Sequence, residues 1–272
     1  MSRSPKLSQS SIALIKEVSV IDEQGRLSKI FIPAERDLTV YVDKRELVTL
    51  MTMGSNPEFL VLGYLRNQRL ISEITEIASI QVDWEVGAAA VITHSGIDQI
   101  EARTTKKVVT TGCGQGTVFG ELMGSLDEIN LPTDAVIAQS AVNKIIATIR
   151  THPSIYKQAG SVHGCALFSA QGELLQFVED VGRHNAVDAI AGKMWLNSDS
   201  GADKVLYTTG RLTSEMVIKG AQMGIPILLS RSGTTEMGHQ VAQQLGISLF
   251  SRCTGTHFLL LSHAQRLVRD LL

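Results

Sequence analysis

Lys204-Val205-Leu206-Tyr207-Thr208 runs into Thr209-Gly210-Arg211. After Thr213–Met223 comes Gly224-Ile225-Pro226, then Ile227-Leu228-Leu229-Ser230. The two apolar runs have the length of buried strands. The segment between them has helical character, Gly224 stops it, and Pro226 follows two residues later. The unit then repeats: a helix over Thr235–Leu245 ends at Gly246, and Ile247–Ser251 is a third strand. Strand, helix, strand, helix, strand with short links predicts parallel strands joined by right-handed crossovers. An open α/β sheet is therefore the expected heart of the fold.

The polar loops of this unit share one edge. Thr208-Thr209-Gly210-Arg211, Ser230-Arg231-Ser232-Gly233-Thr234 and Arg252-Cys253-Thr254-Gly255-Thr256-His257 each follow a strand. They fall at the carboxyl ends of parallel strands, where open sheets bind ligands. Two of them lead into helix N-termini, which carry free N–H groups and partial positive charge. Each holds an arginine, a small hydroxyl residue and a glycine, and arginine forks suit phosphate oxygens. A phosphorylated small molecule, such as a nucleotide, is the ligand this edge suggests. The plainer reading is that such loops are often polar and glycine-containing in any case.

Upstream, Val162–Ala170 and Leu174–Glu179 read as a hairpin about Gln171-Gly172. Helices are expected over His184–Leu196 and over Gln139–Thr151, where Val142, Ile145, Ile146 and Ile149 form one stripe. Between hairpin and helix lies Glu179-Asp180-Val181-Gly182-Arg183-His184-Asn185. Asp180 could orient His184 or Arg183 for proton transfer. Alternatively, Asp180 and Asn185 cap the helix start while Arg183 pairs with Glu179, and this second reading is the simpler one. His163 reads as a hydrogen-bonded strand histidine. Towards the N-terminus, candidate strands are Ala13–Val20, Leu27–Ile32, Leu38–Val42 and Leu47–Met53, with a turn at Asp22–Gly25. Pro57 opens a helix to about Asn67, capped by Ser55 or Asn56. Ile74–Val82 and Ala88–Thr93 are further strands, Met1–Ser11 is expected as a loose tail, and Val118–Leu131 has no assignment. The expected division is a small α+β domain over 12–107 and an α/β domain over 108–272.

Composition bounds the function. The chain has 272 residues, 44% hydrophobic and 19% charged, with a net charge of −2. No basic footprint for nucleic acid is present. Three cysteines cannot form a paired framework and suit a reducing compartment. No apolar run approaches the ~18 residues needed to span a bilayer, so a cytoplasmic protein with neither membrane nor nucleic-acid partner is expected. The spacings for zinc, for a nucleophile elbow and for a Walker loop are all missing.

The cysteines differ in setting. Cys165 lies in an apolar strand and should be buried and inert. Cys253 sits beside Arg252, a cation that would favour thiolate and make it a second reactive sulfur. Cys113 lies in Thr111-Gly112-Cys113-Gly114-Gln115-Gly116-Thr117, where backbone N–H groups could stabilise a nucleophilic thiolate. From the residues alone, Cys113 is either a working sulfur or a leftover.

Several motifs together resemble the formate dehydrogenase accessory protein family, FdhD. They are Thr111–Gly114, Glu179–Asp188, Gly210–Val217, Pro226–Ser232, Ser262–Leu267, and Pro57–Ile71 with Leu62-Gly63-Tyr64-Leu65. The likeness covers nearly the whole chain in the expected order. It implies an α/β fold, α+β overall: a cytidine-deaminase-like three-layer domain with a smaller N-terminal α+β domain, usually as a homodimer. It also implies a sulfur carrier. A cysteine desulfurase would load a persulfide onto Cys113. The sulfur would pass to the molybdenum bis(molybdopterin guanine dinucleotide) cofactor of the formate dehydrogenase catalytic subunit, bound as client, with no metal held by the protein itself. The family's cofactor segment falls on Arg252, Cys253, Thr254, Gly255, Thr256 and His257, joined by Arg211, Arg231 and Ser232 from the other two loops. This chain departs from the family in having Gly116 where a second loop cysteine is usual, and Thr254–His257 in place of Lys-Pro-Gly-Arg. Asn67-Gln68 replaces Glu-Gly. A cofactor-binding chaperone without sulfur chemistry is the rival reading, and a nucleotide-processing enzyme is a third.

Overall fold

A computed structural model describes residues 4–96, 109–110 and 126–271. Cys113, Gly116 and the unassigned stretch as far as residue 125 lie outside the described residues. The chain opens with β1 (Lys6–Leu7), β2 (Ile15–Ile21), β3 (Leu27–Pro33), β4 (Arg36–Val42) and β5 (Arg45–Thr52). Helix α1 (Pro57–Asn67), β6 (Ile77–Asp83), β7 (Ala88–Thr93) and β8 (Val109–Thr110) follow. Six of these strands form one sheet in the order β1-β6-β7-β4-β5-β8. Alternation sets its buried face, as in β4, where Leu38, Val40 and Val42 are fully buried. Two expectations are corrected here. The first residues are tied down from Lys6 onward: β1 pairs in parallel with β6, and the Ser8 hydroxyl and Ser10 N–H both donate to the buried Glu58 carboxylate. Ile74–Glu76 is a 3₁₀ turn closed by a Glu73/Glu76 capping box, so its strand starts only at Ile77.

β2 and β3 form a separate two-stranded ribbon. Ile30, Phe31 and Ile32 are exposed along it, and Ile21 and Leu27 at its tip are 69% and 76% exposed.

The second half begins with β9 (Ile137–Ala138), α2 (Gln139–Thr151) and α3 (Ile155–Ala159). The hairpin β10 (His163–Ser169) and β11 (Leu174–Asp180) leads to α4 (Arg183–Asn197). Then come β12 (Lys204–Thr208), α5 (Ser214–Gln222), β13 (Ile227–Ser230), α6 (Glu236–Leu245), β14 (Ser248–Thr254), β15 (His257–Leu260) and β16 (Leu267–Val268). The second six-stranded sheet has the order β11-β10-β12-β13-β14-β15, with β12, β13 and β14 parallel as the repeated unit predicts. Helix punctuation follows local chemistry. The Thr235 hydroxyl accepts the Gly238 N–H at the start of α6, a cap worth about 1 kcal/mol, and Gly246 ends that helix at φ +75°.

Successive residues of the second sheet point to opposite faces. Cys165, Leu167, Leu206, Leu228 and Leu249 face one apolar cluster with α4, α5 and α6. Ala166, Phe168, Tyr207, Leu229 and Phe250 face another with α2. The result is helices on both sides of a sheet. The first cluster runs on without a break through α1 into the first sheet.

Several contacts join the halves, and three of them centre on Gly63, Asp188 and Asp180. Helices α1 and α4 cross at glycines: a Cβ built on Gly63 would lie 1.7 Å from the Asp188 carbonyl oxygen, and one on Gly192 would lie 2.0 Å from that of Phe59. At the same crossing Asp188, fully buried, accepts hydrogen bonds from Asn67 Nδ2 and Lys219 Nζ, each at 2.7 Å. Asp180 ties the sheets together. Its carboxylate accepts from the Thr52 hydroxyl (2.5 Å) and the Met53 N–H at the end of β5. It also accepts from the Gly182 N–H and Asn185 Nδ2 at the start of α4. Burial raises its pKa, against the pull of these donors. The expected capping by Asp180 and Asn185 is therefore corrected: the N-cap of α4 is Gly182, which has no side-chain cap, and Asp180 and Asn185 instead bridge the helix start to the end of β5.

Candidate functional site

The carboxyl edge of β12, β13 and β14 opens into a cavity of about 630 Å³ on the α2 side of the second sheet. Its floor comes from strand ends: His163 and Gly164 on β10, Phe177 and Glu179 on β11, Tyr207 and Thr209 at β12. Arg231 and Ser232 follow β13, and Cys253, Thr254 and Gly255 close β14. Ile146, Ile149 and Arg150 of α2, with Tyr156 and Lys157 of α3, form the opposite wall. The size suits a cofactor-scale ligand.

The walls combine rings and cations. The Arg231 guanidinium lies 5.8 Å from the Tyr156 ring centroid, and Phe177 packs edge-on to His152 at 4.6 Å. Glu179 is buried, yet its carboxylate faces no arginine. It accepts from the Ile155 and Tyr156 N–H groups and so fixes the start of α3. The expected Arg183–Glu179 pair is therefore absent among the described residues, because Glu179 turns to backbone donors. Backbone amides of the edge loops are largely satisfied internally. The Ser232 N–H goes to the Ser230 hydroxyl, Gly210 N–H to Thr208 Oγ1, and Arg252 N–H to the Ser232 carbonyl. Recognition of an anion at this edge thus rests on side chains rather than on loop amides.

His163 is half-buried on the cavity lining, its Nδ1 3.5 Å from Thr209 Oγ1. Burial lowers its pKa, and the nearby Arg183 and Arg211 charges lower it further.

The sequence-predicted residues separate into groups. Arg231, Ser232, Cys253, Thr254 and Gly255 are brought together on the cavity. Thr256 faces a shallower depression beside α2. Arg211, Arg252 and His257 are exposed and do not line the cavity. The segment Arg252–His257 is not a free loop after a strand. It is the end of β14 and its hairpin turn into β15, with Thr254 paired to His257 and Gly255 at φ +61°. The reactive role expected of Cys253 is also corrected. An irregularity of β14 at Arg252, which sits at φ +53°, turns Arg252 outward and puts Cys253 on the same inner face as Phe250, leaving the thiol 1% exposed, and burial pushes its pKa up to about 12. Cys165 meets its expectation: it is fully buried, hydrogen-bonded at 3.4 Å to Thr208 Oγ1, and raised by burial to about 12. At pH 8 a thiol of that kind is thiolate in about one molecule in ten thousand. Iodoacetamide on the folded chain should therefore leave Cys165 and Cys253 unmodified, and alkylation of either at the rate of a free thiol would contradict this burial.

Tyr156 and Phe177 are cavity residues that the sequence reading passed over, and His163 and Glu179 are two that it read as structural only. The cue for Glu179 and His163 was their place at the same sheet edge as the three loops. For Tyr156 the only cue was Ser154, whose hydroxyl accepts the Lys157 N–H and caps a five-residue helix. Among the described residues no group of His, Cys, Asp or Glu could hold a metal ion, and no helix is long and apolar enough to cross a membrane.

The model of the FdhD/NarQ family matches residues 33–268, most of the chain and all of this edge. The chain belongs to that family. Among FdhD relatives, the sulfur carrier protein FdhD of Bacillus pumilus is 30% identical over 86% of this chain and 88% of its own length. That of Bacillus subtilis is 30% identical over 90% and 94%. The FdhD of Sulfurisphaera tokodaii is 27% identical over 93% and 98%. A solved structure assigned as a formate dehydrogenase accessory protein, from Desulfotalea psychrophila, superposes with a TM-score of 0.74 at 26% identity, covering 93% of this chain and 98% of that one. The mixed α/β architecture is thus the FdhD fold.

Proposed function

We propose that this chain is a sulfur carrier for formate dehydrogenase maturation. It takes persulfide sulfur from a cysteine desulfurase on Cys113 and delivers it to a molybdenum bis(molybdopterin guanine dinucleotide) cofactor, which is its client. In loading, the Cys113 thiolate attacks the outer sulfur of the desulfurase persulfide, and the desulfurase thiolate leaves. The observation that carries the reading is the family membership, together with an aromatic and cationic cavity of cofactor size at the strand ends. Tyr156, Tyr207 and Phe177 suit a flat heteroaromatic base, and Arg231 suits phosphate oxygens. A further support comes from β8. It runs parallel to β5, whose far end is tied to Asp180 next to the cavity residue Glu179. Cys113 follows Thr110 by three residues, at most about 10 Å of extended chain.

The test is loading followed by complementation. After incubation with desulfurase and cysteine, mass spectrometry should find one added sulfur on Cys113. In a strain lacking its own accessory protein, the wild type should restore formate dehydrogenase activity and Cys113→Ala should restore none. Gly116, in place of a second loop cysteine, favours a second reading, a cofactor-binding chaperone without sulfur transfer. Activity restored by Cys113→Ala would establish that reading against ours.

A further inference from the structure

The end of β5 is stitched to the start of α4 by buried hydrogen bonds. Asn185 Nδ2 donates to the Met51 carbonyl at 2.8 Å, the Thr52 hydroxyl to an Asp180 carboxylate oxygen at 2.5 Å, and the Met53 N–H to that same oxygen at 3.2 Å. Two residues further on, the Ser55 hydroxyl donates to the Glu179 carbonyl at 2.6 Å. Thr52, Asp180 and Asn185 are all shut off from water. The Thr52 hydroxyl gives its proton to Asp180, and its lone pair takes the Gly54 N–H at 3.1 Å.

This seam stands between the strand that leads to the loop cysteine and the wall of the cavity. On one side, β8 pairs in parallel with β5: Val109 stands opposite Thr49, and Thr110 opposite Leu50, two residues before Thr52. Cys113 comes three residues after Thr110 in the chain. On the other side, Glu179 is gripped twice. Its carbonyl takes the Ser55 hydroxyl, and its carboxylate takes the Ile155 and Tyr156 N–H groups that start α3, with Tyr156 lining the cavity. The second carboxylate oxygen of Asp180 is held by the Gly182 N–H and Asn185 Nδ2. A buried carboxylate tolerates little misalignment, because each lost donor leaves a charged oxygen unsatisfied. A shift at the end of β5 is therefore passed on to Glu179 and, through it, to α3.

We propose that Thr52 and Asp180 are positioning residues for sulfur delivery: their buried contact fixes the strand that leads to Cys113 against the wall that carries Tyr156. The inference rests on the carrier reading above. Loading needs only a thiolate and an incoming persulfide. Delivery needs the thiol and the cavity's ligand held in a fixed relation, and a misplacement of about 1 Å can cost on the order of a hundredfold in such steps. The seam acts on the second stage and not on the first.

Thr52→Val keeps the side-chain shape and removes the hydroxyl, whereas Thr52→Ser keeps the hydroxyl. Each full-length variant is incubated with desulfurase and cysteine, and each is expressed in the strain lacking its own accessory protein at matched levels of soluble protein. Thr52→Val should gain sulfur on Cys113 at a rate within about twofold of wild type, yet restore about tenfold less formate dehydrogenase activity. Thr52→Ser should restore that activity. Ser55→Ala, half-buried at the end of the seam, should show the same split at about threefold, and it carries the test if Thr52→Val does not fold. Full delivery by Thr52→Val, or by Ser55→Ala where the first variant does not fold, would overturn the proposal. So would loading and delivery that fall together, or a loss that Thr52→Ser does not rescue, since the contact would then be structural only. A wild type that takes sulfur on Cys113 beside variants that deliver normally would leave the carrier reading standing without the seam. Absence of sulfur on wild-type Cys113 would remove the carrier reading itself, and the positioning role with it.

Discussion

Placing a methyl group on Gly63 is expected to lower the thermal midpoint by about 6–12 °C, corresponding to about 3 kcal/mol of overpacking in a chain of this size. The new Cβ would sit 1.7 Å from the Asp188 oxygen, 2.5 Å from its carbonyl carbon and 2.9 Å from the Gly192 nitrogen. All three are backbone atoms, so no rotamer change relieves the clash, and only separation of α1 from α4 does. Those helices link the first sheet to the second within one apolar cluster, and their separation would open Leu62, Tyr64 and Val187 to water. Gly192→Ala should behave alike, since its Cβ meets the Phe59 oxygen at 2.0 Å. Gly233→Ala is the control: no atom lies within 4 Å of its built Cβ and its φ is ordinary, so its midpoint should not move. An unshifted melting curve for Gly63→Ala would mean that the helices do not cross at this distance.

Lys219→Met should cost about 3–5 kcal/mol, because it strands Asp188 as a buried carboxylate. The pair is nearly solvent-free, with side-chain exposures of 4% and 0%. Asn67 Nδ2 would remain on the other carboxylate oxygen and could not neutralise it. Adding Asp188→Asn to Lys219→Met should recover part of the loss, since an amide leaves no buried charge. Urea unfolding of the wild type, both single variants and the double variant measures the coupling directly. If the two single losses simply add, Asp188 and Lys219 do not act as a pair.

The repeated unit at residues 204–251 was legible because strands, helices and stop signals each carried local chemistry. Gly224, Gly246 and Pro226 marked ends that tertiary packing did not override. The edge that faces a ligand followed from that topology, and so did Arg231 and Ser232. The nature of Arg252–His257 did not follow, because whether a strand stops or turns back into a hairpin depends on the neighbour it finds. Burial of Cys253 escaped for a related reason: the strand is irregular at Arg252, and that irregularity turns Cys253 onto the inner face beside Phe250. The N-terminal segment looked loose because Lys6 and Leu7 owe their order to β6, more than seventy residues away. Arg183 looked paired because Glu179 was near it in sequence, whereas the carboxylate's real partners come from a five-residue helix with no periodic signal.

The ribbon of β2 and β3 has a consequence for the chain in concentrated solution. Among the described residues each strand pairs only with the other, so each leaves a row of backbone groups outside any ladder, and Ile21, Leu27 and Phe31 stand on these strands and at their turn. Such edges are templates for another strand, and they are where self-association of the folded chain would begin. The ribbon carries its own deterrent. Lys29 bridges to Glu17 at 2.7 Å, both exposed, and Lys16 and Arg26 add charge on the same two strands and their turn. A foreign strand docking there would have to desolvate those charges. Their spacing along an otherwise apolar surface raises the cost of docking any foreign strand there.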